Sequence, residues 1–281
     1  MRWDEYKPLL QEKWSSLLDS QEANEEKNLQ SFLEEHPCLI PGAFGVNFSS
    51  GHFPFPCAVI AQPALRGLGT KVPDFMWIAS DSRTIYPIMI EIETPTKRWF
   101  TREGVPHSEF TQAHTQLASW KTWFDSPTNK QVFIEYYHIP LDLRDTRRIH
   151  PLYVLIYGRR REFEDTPALN LMRGNLQRQD ETLMTYDRLT PDANAQNLMC
   201  VKLIEDHAGR RYRAMTVPPT LTLGPLGAGY RAVISDKEEA ATRKILIGPE
   251  RREFLVRRFP YWDAWARSNS GRYTFSLGGE E

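Results

Sequence analysis

At 281 residues, 41% of them hydrophobic and 25% charged, the chain can bury one large core or a core with an appended second unit, and it is too apolar to be globally disordered. A formal net charge of −1 excludes a bulk field for polyanions, so any nucleic-acid contact has to come from local basic clusters. The three cysteines, Cys38, Cys57 and Cys200, stand too far apart for metal or redox spacing, and neither a signal-like N-terminus nor an apolar run of about 18 residues occurs; the expectation is a cytoplasmic protein with no membrane partner.

Residues 3–20 mix apolar and charged positions at helical spacing, and a second helix is expected from Asn24 to Glu35, where Leu29, Phe32 and Leu33 form a stripe that Pro37 ends. A Pro/Gly/Phe-rich loop follows, then a strand within CAVIAQPAL. PDFMWIAS and TIYPIMIEIE, joined by the turn DSR, predict an antiparallel hairpin. The apolar run Ile88–Ile90 marks its second strand as covered on both faces, and Thr94-Pro95 closes it.

Ser108 is the expected cap of a helix carrying Phe110, Ala113, Leu117, Trp120 and Phe124 at the helical period. Strands are expected at Gln131–Tyr137 and Leu152–Tyr157, then a helix near Ala168–Leu176 and a strand-like LMTYDRL. Strands alternating with a crossover helix predict an α/β fold. Beyond Pro191 the texture changes: RRYRAMTV, the loop PPTLTLGPLGAGY and a charged helix near Glu250–Arg267 read as a small α+β appendage. The organisation expected is therefore a helical segment at 1–20, a core domain at 21–191 and a C-terminal unit at 192–281.

Side chains alternate along a strand, so Glu91 and Glu93 emerge on one face, and Asp74, at the start of the partner strand, approaches the same patch. Carboxylates crowded on a half-buried sheet repel one another and lose solvation unless a cation neutralises them. All-oxygen ligation favours Mg²⁺ or Mn²⁺, ions that hold phosphate oxygens and activate water; the metal ligands expected are Asp74, Glu91 and Glu93. An arbitrary E-x-E is more often the solvated face of an edge strand, but the apolar run before Glu91 argues against an edge.

Gln112 and Gln116 lie one helical turn apart, off the face of Phe110 and Leu117, where they either project toward the acids or simply face solvent. Lys71, Lys97 and Arg98 flank the acids in sequence, and Arg159, Arg160 and Arg161 form a basic run that suits phosphate contacts as well as plain solvation. The histidines show no zinc spacing, His107 reads as a helix-entry residue, and no G-x-S-x-G elbow or Gly-rich phosphate loop is present.

Asp74 in P-D-F, then Glu91-x-Glu93, then a Gln-bearing helix resembles the PD-(D/E)xK nuclease superfamily. More narrowly, E-x-x-L-Q-x-F-L at Glu26–Leu33 followed by HP, the PDF strand, EIETP, TQAHTQLASW, YVLIYGRRR and TYDRL resemble the Shedu anti-phage nuclease domain over about residues 20–190. The resemblance implies a restriction-endonuclease-like mixed sheet flanked by helices, and a bacterial immune effector that acts on DNA as a homo-oligomer. Asp74 and Glu91 are then metal ligands, Gln112 or Gln116 support the site, and Glu26 matches a helical glutamate such folds contribute. The chain departs from the superfamily at Glu93, where lysine usually positions the attacking water; Lys97 or Lys71 would supply that charge from another position. The function expected is a Mg²⁺-dependent DNA endonuclease, with a catalytically degenerate DNA- or protein-binding module as the alternative.

Overall fold

The computed structural model describes residues 1–67, 70–164, 166–207, 209–221, 234–243 and 247–268. In chain order its elements begin with α1 (Trp3–Leu18), α2 (Glu26–Glu35), β1 (Phe55–Ala61), β2 (Phe75–Ser80), β3 (Thr84–Ile92), α3 (Ser108–Asp125), α4 (Pro127–Tyr136) and α5 (Leu141–Arg144). They continue with β4 (Arg148–Ile149), β5 (Leu152–Ile156), α6 (Arg161–Glu164), α7 (Pro167–Leu176), β6 (Glu181–Met184), β7 (Met199–Asp206), β8 (Gly209–Thr216), β9 (Ile234–Ser235), α8 (Lys237–Arg243) and α9 (Pro249–Ser268). The strands form one mixed sheet of nine, ordered β6-β5-β3-β2-β1-β7-β8-β9 with β4 beside β3, and helices cover both faces. This is the α/β architecture expected.

The hairpin β2–β3 is antiparallel, with Phe75 opposite Ile90 and Ser80 opposite Ile85. Its turn closes because one carboxylate oxygen of Asp81 accepts the N–H groups of both Arg83 and Thr84 at 2.7 Å. From β3 the chain crosses over through α3, α4 and α5 to β5, which lies parallel to β3 with Glu91 beside Leu155. On one face Met76, Ile78 and Met89 pack with Phe110, Leu117 and Trp120 of α3. On the other, Trp77, Ile88 and Ile90 pack with Tyr6 and Trp14 of α1 and Leu29 and Leu33 of α2. Large side chains such as Trp77 and Trp120 are fully enclosed, each contributing on the order of 1.5–3 kcal/mol of burial free energy.

Three local expectations need correction or relocation. The strand expected at Gln131–Tyr137 is helix α4: Pro127 at its first turn and the Ser126 side chain, accepting from the Asn129 N–H at 3.4 Å, start a helix that buries Phe133 and Tyr136. The cap of α3 is His107 rather than Ser108, its ring accepting from the Glu109 N–H at 3.4 Å. In LMTYDRL the strand stops at Met184, and Tyr186–Arg188 form a 3₁₀ turn.

Beyond residue 191, β7 pairs in parallel with β1, Ala58 beside Met199, so the segment read as an α+β unit adds β7, β8 and β9 to the sheet that carries the hairpin. RRYRAMTV is largely β8, and the charged helix is α9. Most of the loop PPTLTLGPLGAGY, from residue 222 on, lies outside the described residues. No helix among them is long and apolar enough to cross a membrane.

Candidate active site

Alternation along the hairpin decides which carboxylates meet. Ile88, Ile90 and Ile92 face the α1–α2 layer, so Glu91, in step with Met89, faces the α3 layer. Asp74, in step with Met76 and one position beyond the Phe75–Ile90 pair, stands across from Glu91 on that same face. The Asp74 N–H donates to the Ile90 carbonyl at 3.1 Å, and one Asp74 carboxylate oxygen accepts the Ile92 N–H at 2.9 Å. The hairpin thus clamps Asp74 by backbone and side chain beside Glu91.

Glu91 is only 7% exposed. Its carboxyl stands beside that of Asp74, and its Oε2 is buried with no hydrogen-bond partner. Burial first, then the charge of Asp74, push the Glu91 pKa well above the carboxylate range. Burial also raises Asp74; the Ile92 N–H opposes that rise, and Glu26 and Glu93 reinforce it. Two carboxyls are therefore crowded together at the end of β3, where burial and mutual repulsion favour keeping one of them protonated, and the unpartnered Glu91 Oε2 costs about 1–3 kcal/mol.

Around this pair stand three further groups named from sequence. Glu93 continues β3 through its N–H to the Ile156 carbonyl at 3.0 Å, and Lys97 turns back to form an ion pair with its carboxylate. Burial alone would lower Lys97; its bond to Glu93 and the charges of Glu93, Glu109 and Glu26 prevail and raise it. Glu26, in the first turn of α2, is raised by burial and by Glu93, with Lys97 opposing. Its helix packs on the opposite face of the sheet through Leu29 and Leu33, so Glu26 reaches the cluster from around the strand ends.

The glutamines are placed less closely. Gln112 is exposed and Gln116 half-buried on α3, and neither side chain is hydrogen-bonded to the acids among the described residues. Glu109, one turn before Gln112, does act on Lys97, so the opening turn of α3 borders the site. Lys71 pairs by its backbone with Leu65. Arg159, first of the triple arginine, is held by Asp187 at 2.8 Å and Asp19 at 3.2 Å.

Tyr186 has no role in the expectations and belongs with these residues. It is fully buried, its hydroxyl has no partner, and its pKa stands far above the usual phenol range, first through burial and then through Asp74, Glu26, Glu93 and Glu91. The signal available was its place in the segment LMTYDRL, two residues after the end of β6. Among the described residues no three His, Cys, Asp or Glu side chains are grouped as a ready metal cage.

What the arrangement offers is a crowded carboxyl pair with one unpartnered oxygen, a neighbouring glutamate ion-paired to Lys97, and an enclosed phenol, gathered at the C-terminal ends of β3 and β6. No curated protein matches the chain. The family model described as Shedu protein SduA, C-terminal, matches residues 23–190, a span that holds every acidic residue of the cluster. With more than half its length matched, the chain belongs to the Shedu SduA C-terminal family.

Proposed function

We propose that this protein is a metal-dependent DNA endonuclease acting in anti-phage defence, with its reacting centre at Asp74 and Glu91. The observation that carries the reading is the unpartnered, buried Oε2 of Glu91 beside the Asp74 carboxylate. Stability alone gives no reason to bury two carboxyls with an oxygen unsatisfied, whereas a divalent cation there would release the retained proton and neutralise both. The donor set fits Mg²⁺ or Mn²⁺ better than zinc: Mg²⁺ takes one or two protein carboxylates and fills its remaining positions with water and phosphate oxygens, so no three-residue cage is needed. When bound, the ion supplies Lewis-acid polarisation of a phosphodiester and a more acidic water.

The chain's own residues have distinct tasks in this reading. Asp74, fixed by the Ile92 N–H, keeps one oxygen oriented while Glu91 contributes the uncommitted one. Glu93 stands where the superfamily motif has lysine, and Lys97 brings its ammonium to that carboxylate. Lys97 places an ammonium at the edge of the site, and Glu93 is able to accept a proton from water. Glu26 adds negative charge from α2. Assembly as a homo-oligomer belongs to the same reading and is checked by light scattering.

The test is supercoiled plasmid incubated with the purified protein in Mg²⁺, in Mn²⁺ and in EDTA. Conversion to nicked or linear DNA in the metal samples alone supports the reading. Intact plasmid with either metal, or cutting that persists in EDTA, contradicts it.

A further inference from the structure

Beside the acidic site, three arginines from separate elements line one cavity of about 300 Å³. Arg160 follows β5, Arg173 comes from α7, and Arg188 ends the 3₁₀ turn after β6. Glu164 and Thr185 share the lining. Arg173 lies over the rings of Phe163 at 5.0 Å and Trp99 at 5.6 Å, and donates to the Asn170 side chain at 3.0 Å. None of the three guanidiniums is ion-paired among the described residues, in contrast to the adjacent Arg159 with its two aspartates. Burial first, then the like charges of Arg188 and Arg160, lower the pKa of Arg173. The cavity gathers cationic side chains at an electrostatic cost that a bound anion would relieve.

Its position gives that anion a meaning. Trp99, under Arg173, lies two residues beyond Lys97, whose carbonyl is 2.9 Å from where a Cβ on Gly158 would stand. The Trp99 indole donates to the Tyr157 carbonyl at 2.9 Å. The pocket and the Asp74–Glu91 pair therefore share the C-terminal edge of β3, β5 and β6, where sheets of this class place their ligands. Guanidinium forks match phosphate oxygens, and several converging on one cavity select a tetrahedral anion.

We propose that Arg160, Arg173 and Arg188 form a phosphate subsite that grips the backbone of the DNA strand beside the reacting phosphodiester. The inference rests on the reading of DNA as substrate and deepens it by naming the residues that hold the strand.

The test is fluorescence anisotropy of a labelled blunt duplex bound by the full chain in EDTA, across a salt series. Arg160 and Arg188 are exposed, so Arg160→Ala/Arg188→Ala keeps the fold, as an unchanged melting curve verifies. Affinity is expected to fall about tenfold or more near 0.1 M salt, and the log–log salt slope to become shallower by about 1–2. Arg161→Ala, next in sequence but outside the cavity lining, should leave both unchanged.

Parental affinity and slope in the double variant would overturn the subsite, as would an equal loss in Arg161→Ala, which would reduce the effect to general surface charge. A parent that binds DNA through these arginines but never cuts with metal would keep the subsite and remove the nuclease reading. A parent that cuts, and a double variant that binds and cuts equally well, would do the reverse. A parent that binds no DNA at any salt removes both.

Discussion

Asp74 accepts the backbone N–H of Ile92 at 2.9 Å, which ties the carboxylate just before β2 to the last residue of β3 and holds it against Glu91. This clamp keeps Asp74 in place whether or not its neighbour is charged. Metal binding at such a pair must displace the proton retained by Asp74 or Glu91. Affinity for Mn²⁺, read by electron paramagnetic resonance, is therefore expected to keep rising with pH through neutrality, with proton release on binding. Ordinary carboxylates would give a plateau above about pH 5. A flat profile from pH 5 to 8 would mean that the pair is already ionised.

Removing the burden on Glu91 has a predicted cost and benefit. Its folded-state pKa is raised, so its contribution to stability is fully present below the ordinary carboxylate pKa and is lost as pH rises toward the raised value. Glu91→Gln keeps the shape and carries no proton to lose. In EDTA at pH 7 it is expected to be more stable than the parent by about 1–3 kcal/mol, with the difference vanishing near pH 4. Thermal melts across that range decide it; a less stable variant at pH 7 would contradict the account.

Glu181 predicts the opposite pH dependence at another position on the same face. It is fully enclosed at the start of β6, bonded to His114 at 2.7 Å and to Lys121 at 2.6 Å. Burial would raise its pKa, but the bonds to His114 and Lys121 prevail and hold it down at about 2. A lowered carboxyl contributes stability above its unfolded pKa and loses it as pH falls through the folded one. Parent stability should therefore decline between about pH 5 and pH 2, and Glu181→Gln should flatten that decline at the expense of about 2–4 kcal/mol at pH 7. Urea unfolding at several pH values measures both.

Lys97 gives a kinetic prediction. If its ammonium supplies the positive charge beside the reacting phosphate in the proposed reaction, Lys97→Met should lower single-turnover cleavage by about 10²-fold with little change in DNA affinity. Glu93→Lys in that background should recover part of the rate. An unchanged rate in Lys97→Met would remove the lysine from the mechanism.

Much of this site was legible because its geometry is local. The alternation from Phe75 to Ser80 and from Thr84 to Ile92, with Asp81 at the turn, fixes which residues face each other, and so brings Asp74 to Glu91. Gln131–Tyr137 misled because Val132, Phe133, Ile134 and Tyr136 favour strands by type, whereas Ser126-Pro127 starts a helix that tertiary burial of Phe133 and Tyr136 retains. The pairing of β7 with β1 joins segments far apart in the chain and leaves no local trace. Of the cavity's arginines Arg160 stood out, in the basic run after β5, whereas packing alone brings Arg173 of α7 and the Tyr186–Arg188 turn to the same edge of the sheet.

The measurement that bears most directly on the central claim is single-turnover cleavage of a labelled duplex in Mg²⁺ by the parent, Asp74→Asn and Glu91→Gln, each shown to be folded by its melting curve. The parent is expected to cleave at a rate that EDTA abolishes, and both variants to lose at least about 10²-fold of it while DNA affinity in EDTA stays at the parental level. Full cleavage by Glu91→Gln would contradict the central claim and place the chemistry elsewhere in the chain.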